Sequence, residues 1–309
     1  MKTPSIFVGT ILVLAFFCSR IGVGAGLPDM VQCPITVLHG RLYVQAALQG
    51  QAQPNWWLVD TGSPWSFINA VQARGLSQSN PGPREQIDTK DGRIFSVLKG
   101  IGINIAGQSM GSFDFLKYPW LGALDANRNS RVGFERPFQT GGILGLNFLV
   151  QHRARVDFPA HSLFLTGNGS SGVSPARFEG FTAVPIQITA IPRIEVFGSA
   201  GSRLYSFLVD TGSRRCVIDW KIKETNQIPV RDSGTLHFGS VDRTVLTAMG
   251  DLQNFRLGTL EVSKKGVEFA HLAILLLGFS HPFGGIVGED LLWDHQAILD
   301  IGGRTLYLK

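Results

Sequence analysis

Asp60-Thr61-Gly62-Ser63 ends the apolar run Trp56-Trp57-Leu58-Val59, and Asp210-Thr211-Gly212-Ser213 ends the run Phe207-Leu208-Val209. A short run of aromatic and β-branched residues stopped by Asp-Thr-Gly reads as a buried strand delivered into a tight turn. A single such tetrapeptide could be an ordinary surface turn, because Asp, Gly and Ser all favour turns for local reasons. The second copy, 150 positions later and again behind a buried strand, makes the turn-only reading untenable.

Working outward, the two copies belong to a longer repeat. Gly141-Gly142-Ile143-Leu144-Gly145 is matched by Gly284-Gly285-Ile286-Val287-Gly288. Asn147-Phe148-Leu149 is matched by Asp290-Leu291-Leu292, and Val156-Asp157-Phe158 by Leu299-Asp300-Ile301. The halves close on Ser162-Leu163-Phe164-Leu165 and Thr305-Leu306-Tyr307-Leu308, with these later landmarks offset by 143 residues. A repeat of this length is an internal duplication of a whole folding unit.

The order Asp-Thr-Gly-Ser, a long β-rich interval, two apolar residues with Gly, and a terminal strand resembles the aspartic peptidases. The compact halves are more similar to retroviral-type protease lobes than to the larger lobes of pepsin. The resemblance runs from about Ile35 to Lys309. It implies an all-β fold of two homologous retropepsin- or pepsin-like barrels with an active-site cleft between them. The expected organisation is a leader over residues 1–25, a first lobe over 34–166, a linker over 167–180 and a second lobe over 181–309.

Composition agrees with a folded, mostly β protein. Hydrophobic residues make up 44% of the chain and charged residues 17%, which excludes a disordered polyampholyte. The 37 glycines suit a turn-rich architecture. The net charge of +5 falls to +3 once Lys2 and Arg20 of the leader are set aside. That mild excess, without a basic tract, gives no ground for a nucleic-acid partner.

Residues 1–25 read as an export signal. Lys2 gives the positive start, Ile6 to Phe17 the apolar core, and Val23-Gly24-Ala25 the small-residue cleavage pattern. The apolar run is shorter than the roughly 20 residues of a membrane span. Export to the periplasm or the extracellular space is therefore expected, with no stable membrane span. Lipid anchoring through Cys18 is disfavoured by Phe17, which stands where a small residue belongs. The stretch Gly26 to Pro34 reads as a connection before the first strand, too short for an inhibitory prosegment, so synthesis without one is expected. Cleavage would leave Cys33 and Cys216, either one disulfide or two separate thiols. No Cys-x-x-Cys pair or spaced histidine set points to a metal, and no cofactor is expected.

The first lobe opens with strands at Ile35–Leu38 and Leu42–Leu48, and Gly50 and Pro54 mark the turn before Trp56–Val59. The second repeats this with Ile194–Phe197, a turn over Gly198–Gly201, and Phe207–Val209. The Pro-, Ser- and Gly-rich segment 77–84 reads as a loop. Asp91-Gly92, within Thr89-Lys90-Asp91-Gly92-Arg93, signals a hairpin. The resemblance makes this the first substrate flap, with Phe238-Gly239-Ser240-Val241-Asp242 as its counterpart. Neither carries the tyrosine of pepsin flaps. Thr166 to Gly172 reads as a linker containing the formal glycosylation sequon Asn168-Gly169-Ser170. His271 to Leu277 reads as a core strand.

The chemistry implied is amide hydrolysis by a pair of carboxyls, Asp60 and Asp210. Two carboxyls in contact cannot both ionise comfortably, so they share one proton. The ionised member can take a proton from water while the protonated member hydrogen-bonds the substrate carbonyl. Near-symmetry makes the roles exchangeable at this stage. Gly62 and Gly212 leave room for close backbone approach. By resemblance, the Thr61 and Thr211 hydroxyls reach the opposing backbone and Ser63 and Ser213 hydrogen-bond the outer carboxylate oxygens. Asp157 and Asp300, each in an apolar strand, read as structural. The chain is expected to be a monomer whose partner is a peptide or protein. Two other functions fit some of the pattern: an idle peptide binder with the same fold, and a carboxylate-pair glycosidase. The latter's acids would stand about 5 Å or more apart.

Overall fold

The computed structural model describes residues 30–38, 40–77, 85–88, 94–118, 140–166, 178–190, 192–238, 243–272 and 282–309. The first half runs through β1 (Met30–Pro34), β2 (Thr36–Val37), β3 (Leu42–Leu48), β4 (Asn55–Val59), β5 (Phe67–Asn69), β6 (Glu85–Asp88), β7 (Ile94–Ile105), β8 (Gln108–Tyr118), β9 (Thr140–Leu144), β10 (Arg155–Asp157) and β11 (Ser162–Thr166). The second half follows with β12 (Thr182–Ile188), β13 (Ile194–Ala200), β14 (Arg203–Val209), β15 (Val217–Asp219), β16 (Val230–Phe238), β17 (Arg243–Leu257), β18 (Leu260–Ala270), β19 (Phe283–Val287), β20 (Ile298–Asp300) and β21 (Thr305–Leu308). The described helices are short, such as Leu146–Gln151 and Glu289–Asp294.

Each half closes a barrel of six strands. In the first, β3-β4-β9-β5-β8-β7 returns on itself through β3–β7 pairing. In the second, β13-β14-β19-β15-β18-β17 closes through β13–β17 in the same order. The strand leading to each Asp-Thr-Gly lies parallel to the Gly-Gly strand of its own half, β4 beside β9 and β14 beside β19. These glycines have a packing reason. A Cβ on Gly141 would meet the Trp57 indole at 2.6 Å, and a side chain on Gly284 would collide with the Phe207 ring. Glycine at these positions leaves the space that the Trp57 and Phe207 rings occupy. Fully burying each such ring contributes about 2–3 kcal/mol.

A further sheet joins the halves. Strands β1-β11-β10 of the first half continue into β20-β21-β12 of the second, and β10 pairs antiparallel with β20 at the centre, Val156 opposite Leu299. The runs at Ser162–Leu165 and Thr305–Leu308 therefore close no barrel; they lie in this shared sheet. One hydrophobic core continues through it, including Trp57 and Phe115, Val156 and Leu299, and Phe207 and Phe255. Residues 30–34, read from sequence as a connection, form β1. Its polar-apolar mix shows no strand period, and pairing with β11 makes it a strand.

Other sequence readings shift. Gly198 is inside β13, where a Cβ would stand 2.7 Å from the Arg256 carbonyl oxygen; the turn is at Gly201, with φ of +62°. Here glycine serves a close strand crossing, which looks like a breaker in sequence. β18 ends at Ala270, so His271 and Leu272 lie beyond the strand; 273–277 fall outside the described residues. The proposed flap residues Thr89, Lys90, Asp91, Gly92 and Arg93, the segment 239–242, the leader 1–25 and the sequon also fall outside them.

Candidate active site

β4 and β14 each deliver an aspartate into a turn closed by a main-chain hydrogen bond, from Ser63 N to Asp60 O and from Ser213 N to Asp210 O. Each aspartate's N–H is tied to the adjacent strand, Asp60 to Leu144 O at 3.1 Å and Asp210 to Val287 O at 3.0 Å. The two carboxyls, 150 residues apart in sequence, hydrogen-bond to each other. Direct contact is too close for the glycosidase arrangement.

The threonines fix the two turns against one another. Thr61 Oγ1 donates to Val209 O and Thr211 Oγ1 to Val59 O, both at 2.8 Å. Each hydroxyl also accepts the opposite threonine's N–H, at 3.0 and 3.1 Å. Both residues are fully buried, so these four bonds form a reciprocal clasp within the protein interior. The glycines face across as well. A Cβ on Gly212 would stand 2.5 Å from Asp60 Cγ, and one on Gly62 would overlap the Asp210 carboxyl.

The serines do something other than expected. Ser63 Oγ donates to Trp65 O at 2.8 Å and Ser213 Oγ to Arg215 O at 2.9 Å. A hydroxyl carries one proton, and here it is committed to the carbonyl two residues on. The carboxyls receive main-chain N–H groups instead: Asp60 Oδ1 accepts from Gly62 and Ser63, whereas Asp210 Oδ1 accepts from Gly212.

That difference helps decide the charge. Both aspartates keep partial contact with solvent, while the surrounding protein strips much of their hydration. Burial is the main cause that raises the Asp60 carboxyl, opposed by the Arg41 guanidinium, by Asp210 and by its two N–H donors. Burial and then the charge on Asp60 push Asp210 up to about 8. The additional N–H donor favours negative charge on Asp60, so a proton shared by the pair leans toward Asp210. The equivalence suggested by the sequence is broken by one N–H.

Beneath the turns the halves use related parts. Ser66 Oγ accepts from Gly145 N at 3.0 Å and donates to Asn147 Oδ1 at 2.8 Å. Cys216 takes the place of Ser66: its sulfur accepts from Gly288 N at 3.3 Å, and Asp290 accepts the Cys216 N–H. Burial raises this thiol well above its ordinary range, so it stays protonated. Cys33 and Cys216 are both buried, and no disulfide joins them to each other. Asp157 and Asp300 are structural, each accepting a turn N–H, from Ala160 and Gly303.

Arg41, between β2 and β3, and the buried Glu289 were not singled out in sequence. Arg41 carries no motif. Glu289 had a signal, since the acid directly after Gly288 stands where the first half has Leu146. Among the described residues no group of three or more His, Cys, Asp or Glu could hold a metal ion, and no helix is long and apolar enough to cross a membrane.

Residues 194–281 match the family model described as aspartyl protease. No curated protein matches the chain. Among solved structures, Basic 7S globulin from soybean is similar at 13% identity and a TM-score of 0.49, covering 92% of this chain and 95% of that one. The chain folds into two six-stranded barrel lobes, and the matched segment of its second half is similar to aspartyl proteases.

Proposed function

We propose that the protein is an exported aspartic endopeptidase that hydrolyses peptide bonds with water activated between Asp60 and Asp210. The observation carrying this reading is the hydrogen-bonded carboxyl pair held by the reciprocal threonine clasp. Asp60, ionised, takes a proton from the attacking water; Asp210, protonated, hydrogen-bonds the scissile carbonyl and steadies the developing oxyanion. The proton then passes to the leaving nitrogen, and no covalent intermediate forms. An extended peptide lies across the pair, with residues 89–93 as the proposed covering flap.

Thr61 and Thr211 hold the two carboxyls in register, and Gly62 and Gly212 provide the clearance for their contact. This positioning matters because about 1 Å of misplacement can cost 10²-fold in rate. Export rests on the leader pattern of residues 1–25, with cleavage before Gly26 and no lipid on Cys18. The N-terminal sequence of protein purified from its source tests it; Met1 retained in the mature chain would defeat it.

The deciding experiment exposes protein lacking residues 1–25 to a diverse peptide library from acidic to neutral pH, beside Asp60→Asn and Asp210→Asn. Cleavage lost in both variants is expected. A folded parent that cuts nothing at any pH would overturn the peptidase reading and leave a peptide-binding protein.

A further inference from the structure

The residues that follow the two Asp-Thr-Gly-Ser turns differ. Ser63 leads into Pro64 and Trp65, whereas Ser213 leads into Arg214 and Arg215. The backbone is held alike in both places. Each serine hydroxyl donates to the carbonyl two residues on, and that carbonyl packs on a glycine. A Cβ on Gly145 would stand 2.2 Å from Trp65 O, and one on Gly288 2.4 Å from Arg215 O. Equivalent backbone thus presents unlike side chains: proline and an indole 46% exposed in the first half, two exposed arginines in the second.

The two arginines are not equally available. Arg215 Nη1 is paired with Glu268 Oε1 at 2.9 Å, which offsets its charge. Arg214 has no ion pair among the described residues. Its side chain crosses the boundary between the halves and lies along Gly40, where a Cβ would stand 3.1 Å from Nε and 3.8 Å from Nη2. Gly40, with φ of +66°, is in a turn whose ends, Leu38 and Arg41, exchange main-chain hydrogen bonds at 3.0 and 3.1 Å. Arg214 is therefore supported along its stem while the residue remains exposed. Arg41, next in that turn, is the cation acting on both Asp60 and Asp210, which sets the turn beside the pair. Glu289, whose Oε1 accepts the Leu42 N–H at 3.1 Å, is pushed by burial up to about 9 and brings no negative charge here at neutral pH. This edge of the site is cationic, whereas the matching positions Pro64 and Trp65 are apolar.

We propose that Arg214 is a specificity-determining residue that takes a glutamate or aspartate side chain of the bound peptide, on one side of the scissile bond only. The proposal rests on the peptidase reading above for its effect on rate, not for binding. A guanidinium offers a planar fork of N–H donors that a carboxylate matches with two parallel bonds. An apolar side chain laid over the same fork would strip its water and return no acceptor. Arg214 is four residues from Asp210, and a strand advances about 3.3 Å per residue, so the residue it meets lies within a few positions of the cleaved bond. On the other side Trp65 offers a ring to an apolar side chain, so the charge on Arg214 fixes which way round the peptide lies.

The test uses three series of labelled decapeptides with an apolar frame, in which Glu, Gln or Lys is scanned through every position. Binding is followed by fluorescence anisotropy with Asp60→Asn protein carrying Arg214, Arg214→Gln or Arg214→Glu, and kcat/KM is measured on the same three forms with Asp60 intact. Glu at a position on one side should bind about 10-fold more tightly than Gln there. Arg214→Gln should abolish that preference and leave the Gln series unchanged, and Arg214→Glu should transfer it to Lys at the same position. A protein that binds no peptide, or binds the three series alike, overturns the proposal. So does a preference for Glu that survives in Arg214→Glu shown by circular dichroism to be folded. Equal weakening of all three series in both variants would make Arg214 a bridge to Gly40 alone and overturn it too. Selective binding by protein that cleaves no peptide would sustain the role of Arg214 while defeating the peptidase reading.

Discussion

Gly212 faces the carboxyl of Asp60, across the boundary between the halves and 152 residues earlier, and a methyl group there would lie 2.5 Å from Asp60 Cγ. Gly62 stands in the same relation to Asp210. Each Asp-Thr-Gly therefore completes the site of the other, and the glycine is required by space, since neither adopts a positive φ.

Gly212→Ala should fold with a loss of about 1–3 kcal/mol from overpacking and cut kcat/KM by about 10²-fold or more. Urea denaturation and steady-state kinetics check both. Retention of wild-type activity would show that the carboxyls can separate without penalty.

Thr61→Val removes a hydroxyl that donates to Val209 O and accepts from Thr211 N, leaving both groups buried and unpaired. At about 1–3 kcal/mol per orphaned group, the cost should exceed that of Thr61→Ser, which keeps the bonds. Thr211→Val should behave alike. Because the two hydroxyls share one network, the double variant should cost less than the sum of the singles. Strict additivity in a double-mutant cycle would contradict the reciprocal clasp.

The raised Asp210 carboxyl fixes a sign for stability against pH. With the folded value about 8 and the unfolded one near the ordinary 3.8, the native state binds the extra proton between them. Stability from this group therefore falls as pH rises through that window and levels off above it. Asp210→Asn removes the dependence, so the variant should gain on the wild type in chemical denaturation as pH goes from 4 to 8. A variant that loses ground to the wild type over that range would refute the assignment of the proton. Activity should fade above about pH 8, where Asp210 loses it.

Cys216→Ser should cost little, within about 1 kcal/mol, because Ser66 performs the same task in the first half. Cys216→Ala leaves the Gly288 N–H without its acceptor and should cost about 1–3 kcal/mol. The native thiol, buried and held protonated, should resist iodoacetamide until the protein unfolds. Rapid native alkylation would contradict its placement.

Much of this was legible in sequence because it is local. An apolar run stopped by Asp-Thr-Gly-Ser specifies strand and turn within a few residues, and its recurrence with paired Gly-Gly strands specifies two like halves. Hence Asp60, Asp210, both threonines and both glycines could be picked out as candidates from sequence, and the reach of the threonines across the boundary came from the family resemblance. What the chain alone left open depends on contacts between distant segments. Pairing of β10 with β20 makes one sheet of two halves and turns Met30–Pro34 into a strand. The Ser63 and Ser213 hydroxyls take the nearest carbonyl, a choice of ångströms that residue type does not encode. The proton's place on Asp210 and the charge state of Glu289 depend on burial and neighbouring charge, which exist only once the barrels have packed.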